Sequence, residues 1–128
     1  MIMLIGELAA RTGVTRRALR FYEELGLLTS ERTSAGYRRY DEEAVARVRN
    51  IRELLEIGFT VEDVRAFQPY LDRELPEQFP FEPRCVNGYA AVGRPRVAEL
   101  NRRIARLTEL RDRLVERMPW LAGEDPAR

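Results

Sequence analysis

Histidine and lysine are both absent from the 128 residues, and cysteine occurs once, at Cys85. Without histidine the chain lacks the commonest general base and the commonest zinc ligand. Without lysine it has neither a Schiff-base amine nor the lysine of a phosphate-binding loop. No nucleophile stands beside a base, so an enzyme is not expected and no cofactor is implied. One cysteine excludes an intrachain disulfide. A lone thiol also lacks the further soft ligands of a transition-metal site, so no metal is expected and Cys85 reads as a buried structural residue. No apolar run approaches the ~20 residues of a membrane span. The opening run Met1–Ile5 is too short for a signal sequence and is followed by Glu7. No membrane partner is expected, and a reducing cytoplasm is the expected compartment.

Every cation is therefore a guanidinium, 22 of them against 21 carboxylates. The net charge of +1 hides a segregation. Between Arg11 and Arg39 the arginines outnumber Glu23, Glu24 and Glu31, while acid collects at Asp41–Glu43 and Glu53–Asp63. Nucleic-acid binding depends on such a local patch rather than on whole-chain charge. The stretch Val14–Tyr40 carries it. Thr15 is a helix N-cap, and the helix it starts is expected to run to about Leu25 and stop at Gly26. Arg16, Arg17 and Arg20 form one cationic face of that helix. Thr33–Gly36 then makes a turn and Tyr37-Arg38-Arg39-Tyr40 returns, which predicts a β-hairpin. Ahead of it, Ile5–Arg11 reads as a short helix and Thr12-Gly13 as the tight turn. A basic helix followed by an Arg/Tyr hairpin reads as a helix-turn-helix with a wing. Its expected partner is DNA.

From Asp41 a third helix is expected, with a stripe of Ala44, Val45, Val48, Ile51, Leu54 and Leu55 ending at Gly58. Arg52 is placed within reach of a phosphate, whereas Arg47 and Arg49 read as solvated. Thr60-Val61-Glu62-Asp63 caps a fourth helix that closes near Gln68, before Pro69. Residues 69–95 hold five prolines (Pro69, Pro76, Pro80, Pro83 and Pro95) interleaved with Tyr70, Phe79, Phe81 and Tyr89. The stretch reads as a linker, and its four rings carry two readings: a surface for a small apolar or aromatic effector, or hinge packing with no ligand. Residues 94–118 then repeat Val97, Leu100, Ile104, Leu107, Leu110, Leu114 and Met118 on one helical stripe. A single helix cannot bury that stripe alone, so a homodimer is expected. The domains expected are thus 1–68 (DNA-binding), 69–93 (linker), 94–118 (dimerisation helix) and 119–128, a polar tail too short for a fused ligand-binding domain. The fold class is mainly α.

Four segments, I-G-E-L-A-A-R-T-G-V at Ile5–Val14, L-R-F-Y-E-E-L-G-L-L at Leu19–Leu28, R-T-S-A-G-Y-R-R-Y at Arg32–Tyr40 and I-G-F-T at Ile57–Thr60, resemble the MerR family of transcriptional regulators. The resemblance implies a winged-helix dimer on a pseudo-palindromic promoter, with residues 94–118 as an antiparallel coiled coil. It also implies that the dimer distorts double-stranded promoter DNA for RNA polymerase, under the control of an effector. Carried over by position, Thr15, Arg16, Arg17, Arg20 and Tyr22 belong to the recognition helix, and Arg32, Tyr37, Arg38 and Arg39 to the wing. Guanidiniums at 16, 17 or 20 suit guanine edges, and those at 17 and 20 equally suit phosphates. Metal-sensing members place further cysteines beyond the dimerisation helix, and none exists here.

Two other classes fit parts of the pattern. One is an architectural DNA-binding protein like the excisionase-type winged helices, which commonly lack a dimer helix. The other is a redox switch in which Cys85 crosslinks two chains.

Overall fold

The chain opens on a short strand, β1 (Met3–Leu4), that runs straight into helix α1 (Ile5–Thr12). The computed structural model describes residues 2–81 and 88–123. Gly13 closes α1 with φ of 72°, a left-handed conformation that a side chain resists, and Val14 plugs the corner. Thr15 accepts a hydrogen bond from the Ala18 N–H at 3.1 Å, and α2 (Arg16–Glu24) follows. The hairpin pairs β2 (Glu31–Arg32) with β3 (Arg38–Tyr40). Its loop is closed by the Thr33 N–H donating to Tyr37 O at 2.7 Å. The sheet has three strands in the order β1-β3-β2, all antiparallel, with Met3 opposite Tyr40. Its first strand was not expected from the sequence. It joins the start of the chain to the hairpin and buries Met3.

Asp41 accepts from the Ala44 N–H at 3.1 Å and starts α3 (Glu42–Glu56), whose inner face buries Ala44, Val45, Val48, Ile51 and Leu54. Thr60 and Asp63 form a reciprocal capping box at α4 (Val61–Val64). A 3-10 turn, Arg65–Tyr70, continues it past Gln68 and takes Pro69 in. Arg47 is not solvated. Its side chain is 15% exposed. Its guanidinium donates to Leu27 O at 2.9 Å, to Asp72 Oδ1 at 2.5 Å and to Gln68 Oε1.

Part of the segment expected as a linker joins the core, while most of its described residues are exposed. Leu71 is buried, the rings of Phe79 and Tyr89 pack on Phe67, and Tyr70 packs on Tyr89. The last helix, α5 (Tyr89–Arg117), begins five residues ahead of the expected Arg94 and holds Pro95 inside it. A proline there removes one hydrogen bond to the carbonyl four residues back, a small loss in a helix of 29 residues anchored at its first residue by a buried ring. A 3-10 turn, Pro119–Ala122, follows.

The chain divides into two units, Met1–Val92 and Gly93–Arg128. In the second, Val97, Ile104, Leu107, Leu110 and Leu114 all lie exposed along α5, with Leu100 part-buried and Met118 exposed just past its end. Among the described residues no helix is long and apolar enough to cross a membrane. Cys85 lies outside the described residues, as do Glu82–Asn87 and residues 124–128 of the expected tail.

Candidate nucleic-acid interface

Helix α2 shows two faces because its residues divide at the helical period. Leu19 and Tyr22 point into the core, where Leu8, Val48, Ile51 and Leu54 complete the packing. Arg16, Arg17 and Arg20 point outward and are exposed. None of the three pairs with a carboxylate among the described residues. By contrast Arg11, Arg38, Arg39, Arg47 and Arg52 each hold a carboxylate. Arg16 reaches back over α1. A Cβ at Gly6 would stand 2.6 Å from its Nη2, so a bare glycine leaves the room in which the guanidinium lies.

The rod is held at its C-terminal end by side chains from α3 and the α4 region. Leu25 O accepts from Arg65 at 3.1 Å, Gly26 O from Gln68 at 2.9 Å and Leu27 O from Arg47 at 2.9 Å. These carbonyls would otherwise lack intrahelical donors. The orientation of α2 is thus built into the fold rather than left to a flexible turn.

Beside α2 stands the hairpin. A groove of about 470 Å³ between them is lined by Arg20, Glu23, Glu24, Thr29, Ser30, Arg32 and Arg38. Arg32 donates to Gly36 O at 3.0 Å, which fixes it along the loop. Arg39 pairs with Glu31 across the two strands at 2.8 Å. Tyr37 projects from the loop and is exposed. Arg38 Nε lies 2.8 Å from Glu23 Oε2, and the Tyr40 hydroxyl donates to Glu23 Oε1 at 3.0 Å.

Burial pushes the Tyr40 phenol up to about 12, with its hydrogen bond to Glu23 and that carboxylate's charge adding to the shift. The unfolded chain ionises first, so stability present below about pH 10 is lost as pH rises toward 12. Phenolate absorbance from this residue is expected only as pH nears 12, and Tyr40→Phe is expected to remove that step of the titration. An unchanged titration would place that step elsewhere. Burial likewise raises the Tyr22 phenol.

Two residues placed at the interface by sequence make other contacts in the fold. Tyr22 is 6% exposed and is core. The helical period carries that signal, since Tyr22 stands three and four positions from Leu19 and Ala18. Arg52 donates to Thr12 O at 2.8 Å and pairs with Glu56, which closes the end of α1; a Cβ at Gly13 would meet its Nη1 at 2.6 Å. Thr15 is exposed and capping, and the remaining arginines and Tyr37 lie on α2 or the hairpin. Glu23, Thr29 and Ser30 also line the groove and carry no basic signal that would have marked them.

The rings taken as an effector surface meet one another instead. Tyr89 lies 5.8 Å from Phe67, 5.6 Å from Tyr70 and 5.2 Å from Phe79 between centroids, and its hydroxyl donates to Pro80 O. Phe81 is 67% exposed and, among the described residues, joins no ring contact. Hinge packing is the reading these distances support. Among the described residues no three carboxylates gather as a metal site.

Comparison with known proteins agrees with this geometry. The family model for MerR HTH family regulatory proteins matches residues 3–71, and the model described as MerR, DNA binding matches residues 45–117. Nodulation protein NolA of Bradyrhizobium sp. (strain NC92) is 40% identical over 114 residues, covering 86% of this chain and 40% of NolA. The chain spans two-fifths or less of the NolA proteins it matches. The HTH-type transcriptional regulator HmrR of Rhizobium leguminosarum bv. viciae is 31% identical over 124 residues, 96% of this chain and 89% of HmrR. The lead(II) complex of the transcription regulator PbrR691 from Ralstonia metallidurans CH34 superposes with a TM-score of 0.67 at 28% identity, covering 89% of this chain and 83% of that one. The promoter-DNA complex of HiNmlR, a MerR family regulator lacking the sensor domain, shares the fold at a TM-score of 0.54 and 19% identity. The unpaired arginine face of α2, the hairpin beside it and these matches lead to one assignment: the chain belongs to the MerR family of helix-turn-helix transcriptional regulators.

Proposed function

We propose that this protein is a sequence-specific DNA-binding regulator that acts as a homodimer in the cytoplasm and distorts promoter DNA for RNA polymerase. It is not an enzyme. The observation that carries the reading is the set of three exposed guanidiniums on α2 with no carboxylate partner. Arginines left unpaired in a chain that pairs so many others are poised for an external anion, and a planar fork suits guanine and phosphate alike. Helix α2 then enters the major groove, where a base edge is distinguishable. Tyr37, Arg38 and Arg39 of the hairpin take the flanking phosphates and sugars and fix the register.

The second copy is inferred from α5. A stripe from Val97 to Met118 lies exposed along more than five turns, and its antiparallel pairing with the same stripe of a partner would bury it. Two α2 helices related by a two-fold axis suit a pseudo-palindromic site with half-sites about one helical turn, or a multiple, apart. An architectural protein of the excisionase kind has no need of this stripe. Control by an effector is part of the reading, though the rings of Tyr70, Phe79 and Tyr89 are not its site in this packing.

Arg20→Ala is expected to weaken binding to the cognate duplex by at least about 1–3 kcal/mol and to flatten the salt dependence by about one charge per chain, two per dimer, if Arg20 takes a phosphate. Fluorescence anisotropy on wild type and variant measures both. Unaltered affinity would remove Arg20 from the interface.

A further inference from the structure

The groove between α2 and the hairpin contains an anion that the DNA-binding reading does not use. A carboxylate on a surface meant for phosphates is unfavourable, because like charges repel. Glu23 and Glu24 both line that groove, yet their surroundings differ. Glu24 is exposed. The Glu23 side chain is 14% exposed, pinned by Arg38 Nε at 2.8 Å on one oxygen and by the Tyr40 hydroxyl at 3.0 Å on the other. Both partners belong to β3, so a single side chain of the recognition helix holds two residues of the wing. Arg38 spends its Nε edge on Glu23 and keeps its terminal nitrogens for a further acceptor.

We propose that Glu23 is a positioning residue for sequence-specific binding, which sets the aim of Arg38 and the placement of β3 against α2. The inference rests on the DNA-binding reading above. Non-specific binding counts charges and tolerates a loose wing. Specific binding requires the wing to meet particular phosphates while α2 meets particular bases. One substitution therefore separates the two. Glu23→Gln removes a negative charge and preserves size and an acceptor for Tyr40, but it dissolves the ion pair that aims Arg38. Affinity for unrelated DNA then rises about tenfold at moderate salt, as one added effective charge on each chain of the dimer requires. Affinity for the cognate site falls about tenfold, the usual scale for a lost charge-assisted hydrogen bond. Opposite signs are the signature. A purely structural role would lower both affinities together.

The test uses the full chain. Wild-type protein first selects a cognate duplex from a random-sequence library, and that duplex and a scrambled one of equal composition are titrated by anisotropy with wild type, Glu23→Gln and Glu24→Gln. Glu24→Gln makes the same charge change beside the site and is expected to tighten both duplexes. Glu23→Gln is expected to tighten the scrambled duplex and weaken the cognate one. In an Arg38→Gln background, Glu23→Gln is expected to cause no further cognate loss. If Glu23→Gln tightens both duplexes, weakens both, or still costs tenfold without Arg38, the positioning role is overturned and the DNA-binding reading survives. If wild type enriches no duplex at all, the DNA-binding reading itself has failed.

Discussion

Leu107→Glu is expected to leave the protein monomeric at concentrations where the wild type is a dimer. Leu107 is 66% exposed on α5, at the middle of a stripe that continues in both directions to Val97 and Met118. Burying one leucine side chain stabilises by about 1.5–3 kcal/mol. In a two-fold dimer each substitution occurs twice, so the loss is about 3–6 kcal/mol, and a buried carboxylate adds its own desolvation penalty. Dissociation should strengthen by at least about a hundredfold. Residues 1–92 have their own core, so the DNA-binding unit stays folded while cooperative use of two half-sites disappears. Sedimentation equilibrium reads the mass. A persisting dimer would show that the stripe is covered in some other way, and a monomeric wild type would restore the excisionase-like alternative.

Phe67→Ala carries the largest expected effect on folding. Phe67 is buried, with the rings of Phe59 at 5.0 Å, Phe79 at 5.3 Å and Tyr89 at 5.8 Å between centroids. Truncation removes the ring those neighbours pack on, and the rigid neighbours cannot all move in to refill the space. The cost for such a site is about 3–5 kcal/mol, a large share of the 5–15 kcal/mol typical of a domain. Denaturant unfolding of the two proteins measures it. A loss below about 1 kcal/mol would mean that these aromatics are not a core and would reopen them as a ligand surface.

Much of this architecture was readable in the chain because its signals are local. Thr15, Asp41 and Thr60 each accept the hydrogen bond their position calls for, and Gly13, Gly26, Gly36 and Gly58 all adopt positive φ where a turn was expected. The arginine face of α2 was equally plain. What escaped was long-range or two-sided. Strand β1 has only two residues and acquires its meaning from Arg39 and Tyr40 across the sheet. Arg47 looked solvated because its acceptors at Leu27, Gln68 and Asp72 lie some twenty residues away along the chain. Pro95 read as a helix breaker, but tertiary packing of Tyr89 starts the helix before it. The pairing of Glu23 with two residues of β3 likewise exists only after the chain has folded.

The central claim is that the cations of α2 and the hairpin, doubled by a two-fold axis, grip duplex DNA. Titrating wild-type protein against its selected duplex at a series of salt concentrations tests that most directly. With at least three guanidiniums per chain engaged, log K should fall linearly with log salt at a slope of about −5 or steeper. Absent binding at low ionic strength, or an affinity indifferent to salt, would contradict it.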